Sequence, residues 1–75
     1  MTIEEMIIKL PHLTYEKKIT DDWGYTPNIY HFDGQWHCCW HHCEDCDALF
    51  GFTGETPVEA VTKAYNWCKE NNLLK

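Results

Sequence analysis

Hydrophobic and polar residues follow a helical period at both ends of the chain and a strand period between them. Near the start, Thr2-Ile3-Glu4-Glu5 has the form of a capping box, in which a hydroxyl and a carboxylate satisfy the first backbone N–H groups of a helix. Apolar residues then recur on one helical face at Ile3, Met6, Ile7 and Leu10. We predict a helix that begins at Ile3 and ends before Pro11.

The same signals recur near the end of the chain. Thr56-Pro57-Val58-Glu59 is a second capping box, with proline at the first helical position, where its missing N–H does no harm. Glu59 and Lys63 form an i, i+4 pair on the polar side, and Asn71-Asn72 is a suitable end. The predicted apolar arc of this helix contains Val58, Ala60, Val61, Ala64, Tyr65, Trp67 and Cys68.

The clearest strand signal is the stretch IYHFDGQWHCCWHH, residues 29–42. Asp33-Gly34 between two β-prone runs predicts a two-residue type I′ hairpin, which places Ile29 opposite Cys38. Alternation along the second strand then puts Trp36, Cys38 and Trp40 on one face and His37, Cys39 and His41 on the other.

The rest of the middle region predicts further strands and a loop. LTYEKKIT, residues 13–20, has apolar residues at even spacing with lysines between them, so we predict an edge strand. DDWGYTPN, residues 21–28, is rich in turn formers and predicts a loop. DALFGFT, residues 47–53, predicts a strand with Leu49 on one face and Phe50 and Phe52 on the other.

This order predicts a single α+β domain over residues 1–75. It contains an N-terminal helix, a three- or four-stranded antiparallel β-meander and a C-terminal helix.

The stretch QWHCCWHHCEDC, residues 35–46, supports several kinds of chemistry. Buried cysteine behaves as a small apolar residue, so the favoured interpretation is a core strand with no metal or other cofactor. The alternative is a structural zinc site formed by Cys39, His41, Cys43 and Cys46, in which Cys43-x-x-Cys46 has the spacing of half a site. A catalytic thiol is disfavoured, because adjacent strand residues such as His37 and Cys38 point to opposite faces. We therefore expect no enzymatic activity.

Charge restricts the class of partner. The net charge is −6, from twelve acids and six lysines without arginine. Direct binding of nucleic acid is therefore not expected, and an acidic chain suits a protein with a basic surface. The sequence has no secretory signal pattern and no apolar run long enough to span a membrane, so we expect a cytoplasmic protein. An open edge of the predicted sheet invites dimerisation, so we expect either a monomer or a homodimer.

Two segments place charge and aromatic rings outside the predicted core. The first is the loop with Asp21, Asp22, Trp23 and Tyr25. The second is the predicted hairpin tip with Glu44, Asp45 and Asp47. We predict that these residues contact the partner, although Trp23 and Tyr25 can equally cover the core.

A motif in the second half of the chain carries a resemblance. The residues QWHCCWHH followed by FGFTGETPVEAVTKAYNW resemble the C-terminal half of small phage and prophage proteins of the ABA-sandwich type. The matching residues are Trp36, Cys38, Gly54, Thr56, Pro57, Glu59, Ala60, Lys63 and Ala64. The same stretch is similar in form to the HicB-type antitoxin half-domain.

These resemblances imply different functions. The phage resemblance implies a small protein that binds a host protein, for example an inhibitor of a CRISPR effector or another defence enzyme. The HicB resemblance implies a dimeric antitoxin with a toxin partner. The element order also resembles a double-stranded RNA-binding domain, but Pro57, Val58 and Glu59 occupy the place of that family's lysine cluster.

Overall fold

The computed structural model describes residues 1–21, 24–42 and 48–74. These residues form a three-stranded antiparallel sheet in the order β1-β2-β3, with a helix before it and a helix after it. The predicted α+β order is therefore confirmed, with three strands in the meander. The elements are α1 (Ile3–Lys9), β1 (Thr26–Phe32), β2 (Gln35–His41), β3 (Ala48–Gly54) and α2 (Pro57–Glu70).

The start of each helix is fixed by a threonine. The Thr2 hydroxyl accepts from the Glu5 N–H at 3.2 Å and the Glu5 carboxylate accepts from the Thr2 N–H at 3.3 Å, which confirms the first capping box. Thr56 likewise accepts from the Glu59 N–H at 3.1 Å. The Glu59 carboxylate, however, accepts from the Glu55 N–H at 3.3 Å, so the second cap lacks the reciprocal half of the box.

The end of α2 matches the prediction. Asn71 is the C-cap, and Asn72 adopts the left-handed conformation with φ 56°. The Leu73 N–H donates to the Cys68 carbonyl at 2.8 Å and the Asn72 N–H donates to the Lys69 carbonyl at 3.3 Å. This pair of bonds is the Schellman arrangement, which satisfies carbonyls that the helix itself leaves free.

The β1–β2 hairpin has the predicted turn and register. Asp33 and Gly34 have φ values of 53° and 79°, as a type I′ turn requires. Phe32 pairs with Gln35, and Ile29 pairs with Cys38. A Cβ on Gly34 would meet no atom within 4 Å, so its positive φ, and not lack of space, favours glycine there.

Trp40 lies at the centre of the core, on the sheet face that the helices cover. It has no exposed surface, and its ring stacks on Phe50 with centroids 4.8 Å apart. Its indole N–H donates to the Pro11 carbonyl at 2.9 Å, which ties the exit of α1 to β2. The core-strand prediction is confirmed for Cys38 and Trp40, and Trp36 packs half-buried beside them. The buried cluster contains Met6, Leu10, Leu13, Cys38, Trp40, Ala60, Val61, Ala64 and Cys68.

The predicted edge strand at residues 13–20 is wrong. This segment curls back on itself, with the Thr14 carbonyl and hydroxyl accepting from Lys17 and Lys18 and with Lys17 at φ 64°. Leu13 is fully buried and exchanges both backbone bonds with Tyr25, at 2.9 and 2.7 Å. The even spacing of its apolar residues therefore reflects a closed turn and not an extended strand.

The predicted loop at residues 21–28 also needs correction, because β1 already begins at Thr26. Pro27 lies inside this strand, opposite Trp40. A proline is tolerated there because β1 is an edge strand of the sheet formed by the described residues, so one side of its backbone has no ladder bonds to donate.

Two apolar side chains lie elsewhere than predicted. Val58 is 52% exposed, because the buried side of α2 is formed by Ala60, Val61, Ala64 and Cys68, and Val58 lies about 100° around the helix from the centre of that side. Leu49 packs against the core on the same side as Phe50, because the β2–β3 register shifts between Trp40 and His41.

No helix among the described residues is long and apolar enough to cross a membrane.

Candidate functional site

The two predicted contact segments join the sheet at the same end. Thr26, at the start of β1, pairs with His41 at the end of β2, and His41 pairs with Ala48 at the start of β3. The loop before β1 and the connection from β2 to β3 therefore both attach to this end. We call the five carboxylates of these segments the acidic group: Asp21, Asp22, Glu44, Asp45 and Asp47.

Only part of the predicted contact set lies within the described residues. Asp21 is exposed, whereas Asp22, Trp23 and residues 43–47 lie outside the described part of the chain. Tyr25 is half-buried and packs against the core, so it covers the core as one of the two sequence alternatives proposed. Its role in partner contact stays a prediction.

Tyr25 also links the two segments. Its ring meets the His42 ring edge-on, with centroids 5.5 Å apart, and lies 6.5 Å from the Tyr15 ring. The last residue before β1 and the first residue after β2 thus touch. This contact gives the two attachment points of the acidic group a common, packed base.

A second surface lies on the sheet face that the helices leave open, which we call the helix-free face. Its side chains belong to pairs of the sheet register, such as Tyr30 with His37 and Cys39 with Gly51. None of the described residues on this face is formally charged at neutral pH with histidine neutral. They are Thr26, Asn28, Tyr30, Phe32, Gln35, His37, Cys39, His41, Gly51 and Thr53.

Tyr30 organises this face. Its ring stacks on His37 with centroids 5.1 Å apart and an interplanar angle of 7°. Its hydroxyl lies 3.2 Å from His41 Nε2, to which it can donate. His37 Nε2 in turn donates to the Phe32 carbonyl at 3.1 Å, and the Phe32 side chain stays 67% exposed. Alternation along β2 predicted which side chains share this face, but not the tyrosine-centred contacts.

Cys39 is nearly buried although it lies on the helix-free face, with 7% of its surface exposed. A hydrogen bond with Cys39 raises the pKa of Tyr30 above its ordinary value. On the other side, Cys39 packs over Gly51: a Cβ there would overlap Cys39 Sγ and lie 2.8 Å from Cys39 Cβ. Gly51 therefore makes room for the thiol.

Two of the four residues of the predicted zinc site lie within the described part of the chain. Cys39 and His41 lie on the same face, as predicted, but both engage Tyr30, and Cys43 and Cys46 are outside the described part. Within residues 1–21, 24–42 and 48–74, no three side chains of the His, Cys, Asp and Glu types come close enough to hold a metal ion.

The two thiols on the helix-covered side, Cys38 and Cys68, are unreactive at neutral pH. Burial raises the pKa of Cys38 to about 12 and that of Cys68 to about 11. A cysteine nucleophile reacts as the thiolate. Both groups hold their protons at neutral pH, so neither supplies a nucleophile, in keeping with the core role expected for Cys68.

Comparison with protein-family models, with curated proteins and with solved structures finds no match to this chain. The phage and HicB resemblances therefore rest on the sequence motif. The structure gives that motif a mechanical role, because Thr56 caps α2 and a Cβ on Gly54 would lie 2.9 Å from the Ala60 nitrogen. A capped helix packed closely on a strand accounts for these residues whether or not the function is shared.

Proposed function

We propose that this chain is a non-catalytic binding protein that uses the acidic group to contact a partner protein with a basic surface. The observation that supports the proposal is that both acidic segments attach to the same end of the sheet, where Thr26 pairs with His41 and His41 pairs with Ala48. Five of the twelve acids of the chain belong to these segments. No other part of the sequence concentrates carboxylates to this degree.

Electrostatics favours this mode of action. A chain with net charge −6 and no arginine attracts a basic protein over long range, and clustered carboxylates orient the encounter. The Tyr25–His42 contact holds together the residues from which the two segments extend.

The phage-type motif narrows the proposal to a class of partner. Enzymes that cut nucleic acid carry basic grooves that bind phosphates. An acidic chain that occupies such a groove competes with the nucleic acid. We therefore propose an inhibitor of a host defence nuclease complex, similar in mode to anti-CRISPR proteins, acting in the cytoplasm of the host cell.

The test is a capture experiment with matched variants. The chain is immobilised through a terminal tag, which leaves the acidic group free, and is incubated with host lysate under reducing conditions. One variant converts the acidic group to amides: Asp21→Asn, Asp22→Asn, Glu44→Gln, Asp45→Asn and Asp47→Asn. The control neutralises five exposed acids elsewhere: Glu4→Gln, Glu16→Gln, Asp33→Asn, Glu55→Gln and Glu70→Gln.

We expect a stoichiometric partner that the unmodified chain and the control capture and that the acidic-group variant loses. Because both variants have the same net charge, a loss confined to the first variant assigns binding to the acidic group. Failure to capture a stoichiometric partner, or equal loss in both variants, would contradict the proposal.

A further inference from the structure

The helix-free face, which neither helix covers, has unusual chemistry for this chain. Twelve acids and six lysines make up about a quarter of the sequence, yet the described residues of this face include neither type. The nearest described charges lie at its margins. Asp33 is in the hairpin turn, and the Lys63 ammonium donates to the Thr53 carbonyl at 2.8 Å while pairing with Glu59 at 3.6 Å.

The rings on this face are already ordered. Tyr30 is held between His37 and His41 by ring contacts and by the hydrogen bond to His41 Nε2. The His37 ring is fixed by its bond to the Phe32 carbonyl. Ordered aromatic side chains lose little conformational entropy when another surface covers them, which is why they are common at protein contacts.

We propose that the helix-free face is a self-association surface, which pairs face to face with the same face of a second copy of this chain. Charge favours a second copy of this chain at this face. Two copies with net charge −6 repel each other, and contact is least opposed at a face whose described residues carry no formal charge. A basic protein is not attracted electrostatically to an uncharged face, and it is better matched by the acidic group.

The size of the face sets the strength of the association. Three strands of seven residues cover a flat area of about 300 Å² at ordinary strand spacing and rise. A pair therefore buries roughly 600–1,000 Å² in total, which is below the range of stable interfaces and is typical of weak, transient contacts. The dimer is accordingly weak, and Phe32, with 67% of its surface exposed, is its principal apolar contact.

Ionic strength separates this contact from the one proposed for the acidic group. Salt screens the repulsion between two chains of charge −6, so self-association strengthens as salt is added. A complex between the acidic group and a basic partner weakens under the same change. The two surfaces can therefore be told apart in one salt series.

The experiment is sedimentation velocity of the reduced protein over roughly 0.01 to 1 mM, at low and high salt. Phe32→Glu places a charge on the face. Ile8→Glu makes the same chemical change at a residue of α1 that is 71% exposed, and it serves as the control. Circular dichroism confirms that both variants are folded before the association constants are compared.

We expect a dimer in the unmodified protein and in Ile8→Glu, with an association that is stronger at high salt. Phe32→Glu should weaken it at least tenfold. A monomer across the whole concentration range, a dimer that Phe32→Glu leaves intact, or equal weakening by Ile8→Glu would each overturn the proposal.

Discussion

The central strand β2 contributes side chains to both faces of the sheet, and the two sets differ in their surroundings. On the helix-covered face, β2 supplies Cys38 and Trp40, which are fully buried. On the helix-free face, the same strand supplies His37 and His41, whose rings pack on Tyr30. Both faces contain aromatic rings and a cysteine, so residue type alone does not separate core from surface.

The difference lies in how polar atoms are satisfied. The polar atom of Trp40 finds one buried partner, the Pro11 carbonyl, and the rest of its ring is enclosed by apolar neighbours. On the helix-free face, the Tyr30 hydroxyl bonds to His41 Nε2, and His37 Nε2 donates to the Phe32 backbone carbonyl. The side chains of the helix-covered face are held by packing, whereas those of the helix-free face are held by hydrogen bonds and ring contacts near the surface.

The largest difference between the faces should appear on truncating the central ring of each. Trp40→Ala removes a fully buried side chain and leaves the Pro11 carbonyl without its donor, so we expect a loss of about 3–5 kcal/mol in the free energy of unfolding. Tyr30→Ala should cost about 1 kcal/mol, because water replaces its contacts. Urea denaturation of the reduced proteins measures both. Equal costs would mean that the two faces do not differ in the way described.

Alkaline pH should weaken the packing of the helix-covered face through its two thiols. Burial raises the pKa of Cys38 to about 12 and of Cys68 to about 11, above the value of 9.0 for a free thiol. Because the folded state holds these protons more tightly, their contribution is complete below pH 9 and is lost as pH rises toward 12. Each thiol lowers the free energy of unfolding by up to about 1.4 kcal/mol per pH unit in this window.

The control for this pH dependence is the variant Cys38→Ala/Cys68→Ala. Its absolute stability will be lower, but the slope of stability against pH above 9 should be shallower than in the unmodified protein. An unchanged slope would show that the two thiols are not the groups responsible.

Gly51→Ala tests how closely β3 approaches Cys39 on the helix-free face. The new Cβ would overlap Cys39 Sγ and lie 2.9 Å from Cys39 Cα, so backbone must shift and we expect a cost of about 1–3 kcal/mol. Cys39→Ala should restore only part of it, because the new methyl group would still crowd the backbone and the Cβ of the partner strand. Gly34→Ala is the matched substitution without crowding and should cost about 1 kcal/mol through its positive φ alone. Denaturation of Gly51→Ala, Cys39→Ala, the double variant Gly51→Ala/Cys39→Ala and Gly34→Ala gives the comparison. Full restoration by Cys39→Ala in the Gly51→Ala background would contradict this packing.

The smallest effect is expected for Tyr30→Phe, which deletes the hydroxyl that bonds to His41 Nε2 and to Cys39. The hydroxyl is near solvent, so we expect a loss of about 0.5–1 kcal/mol. A double-mutant cycle with His41→Gln isolates the pairwise term from other effects of either change. A coupling near zero would show that this bond does not hold the rings of the helix-free face.

Local signals predicted much of the fold. The capping threonines, the Asp33-Gly34 turn and the Asn71-Asn72 helix end each act over a few residues, so the sequence contains their whole cause. The faces of β2 followed from alternation alone. These features required no knowledge of distant contacts.

Features that depend on distant residues could not be predicted. The fold of residues 13–20 depends on the backbone bonds between Leu13 and Tyr25. The exposure of Val58 depends on which side of α2 packs into the core, and that is the side with Ala60, Val61, Ala64 and Cys68. The indole bond from Trp40 to Pro11 joins residues 29 positions apart. The same holds for the candidate site. The acidic residues could be identified from the sequence, but the attachment of their two segments to one end of the sheet depends on the register that pairs Thr26 with His41 and His41 with Ala48.

We propose that residues 35–41 form a structural strand that packs in the core on one face and makes contacts on the other, and that they hold no metal ion. Native mass spectrometry of the reduced, untagged protein, before and after a strong chelator, tests this proposal. We expect a metal-free mass with a folded charge-state distribution, a dimer that grows with concentration, and no change with chelator. A zinc ion in each chain, lost together with the folded distribution, would contradict the account.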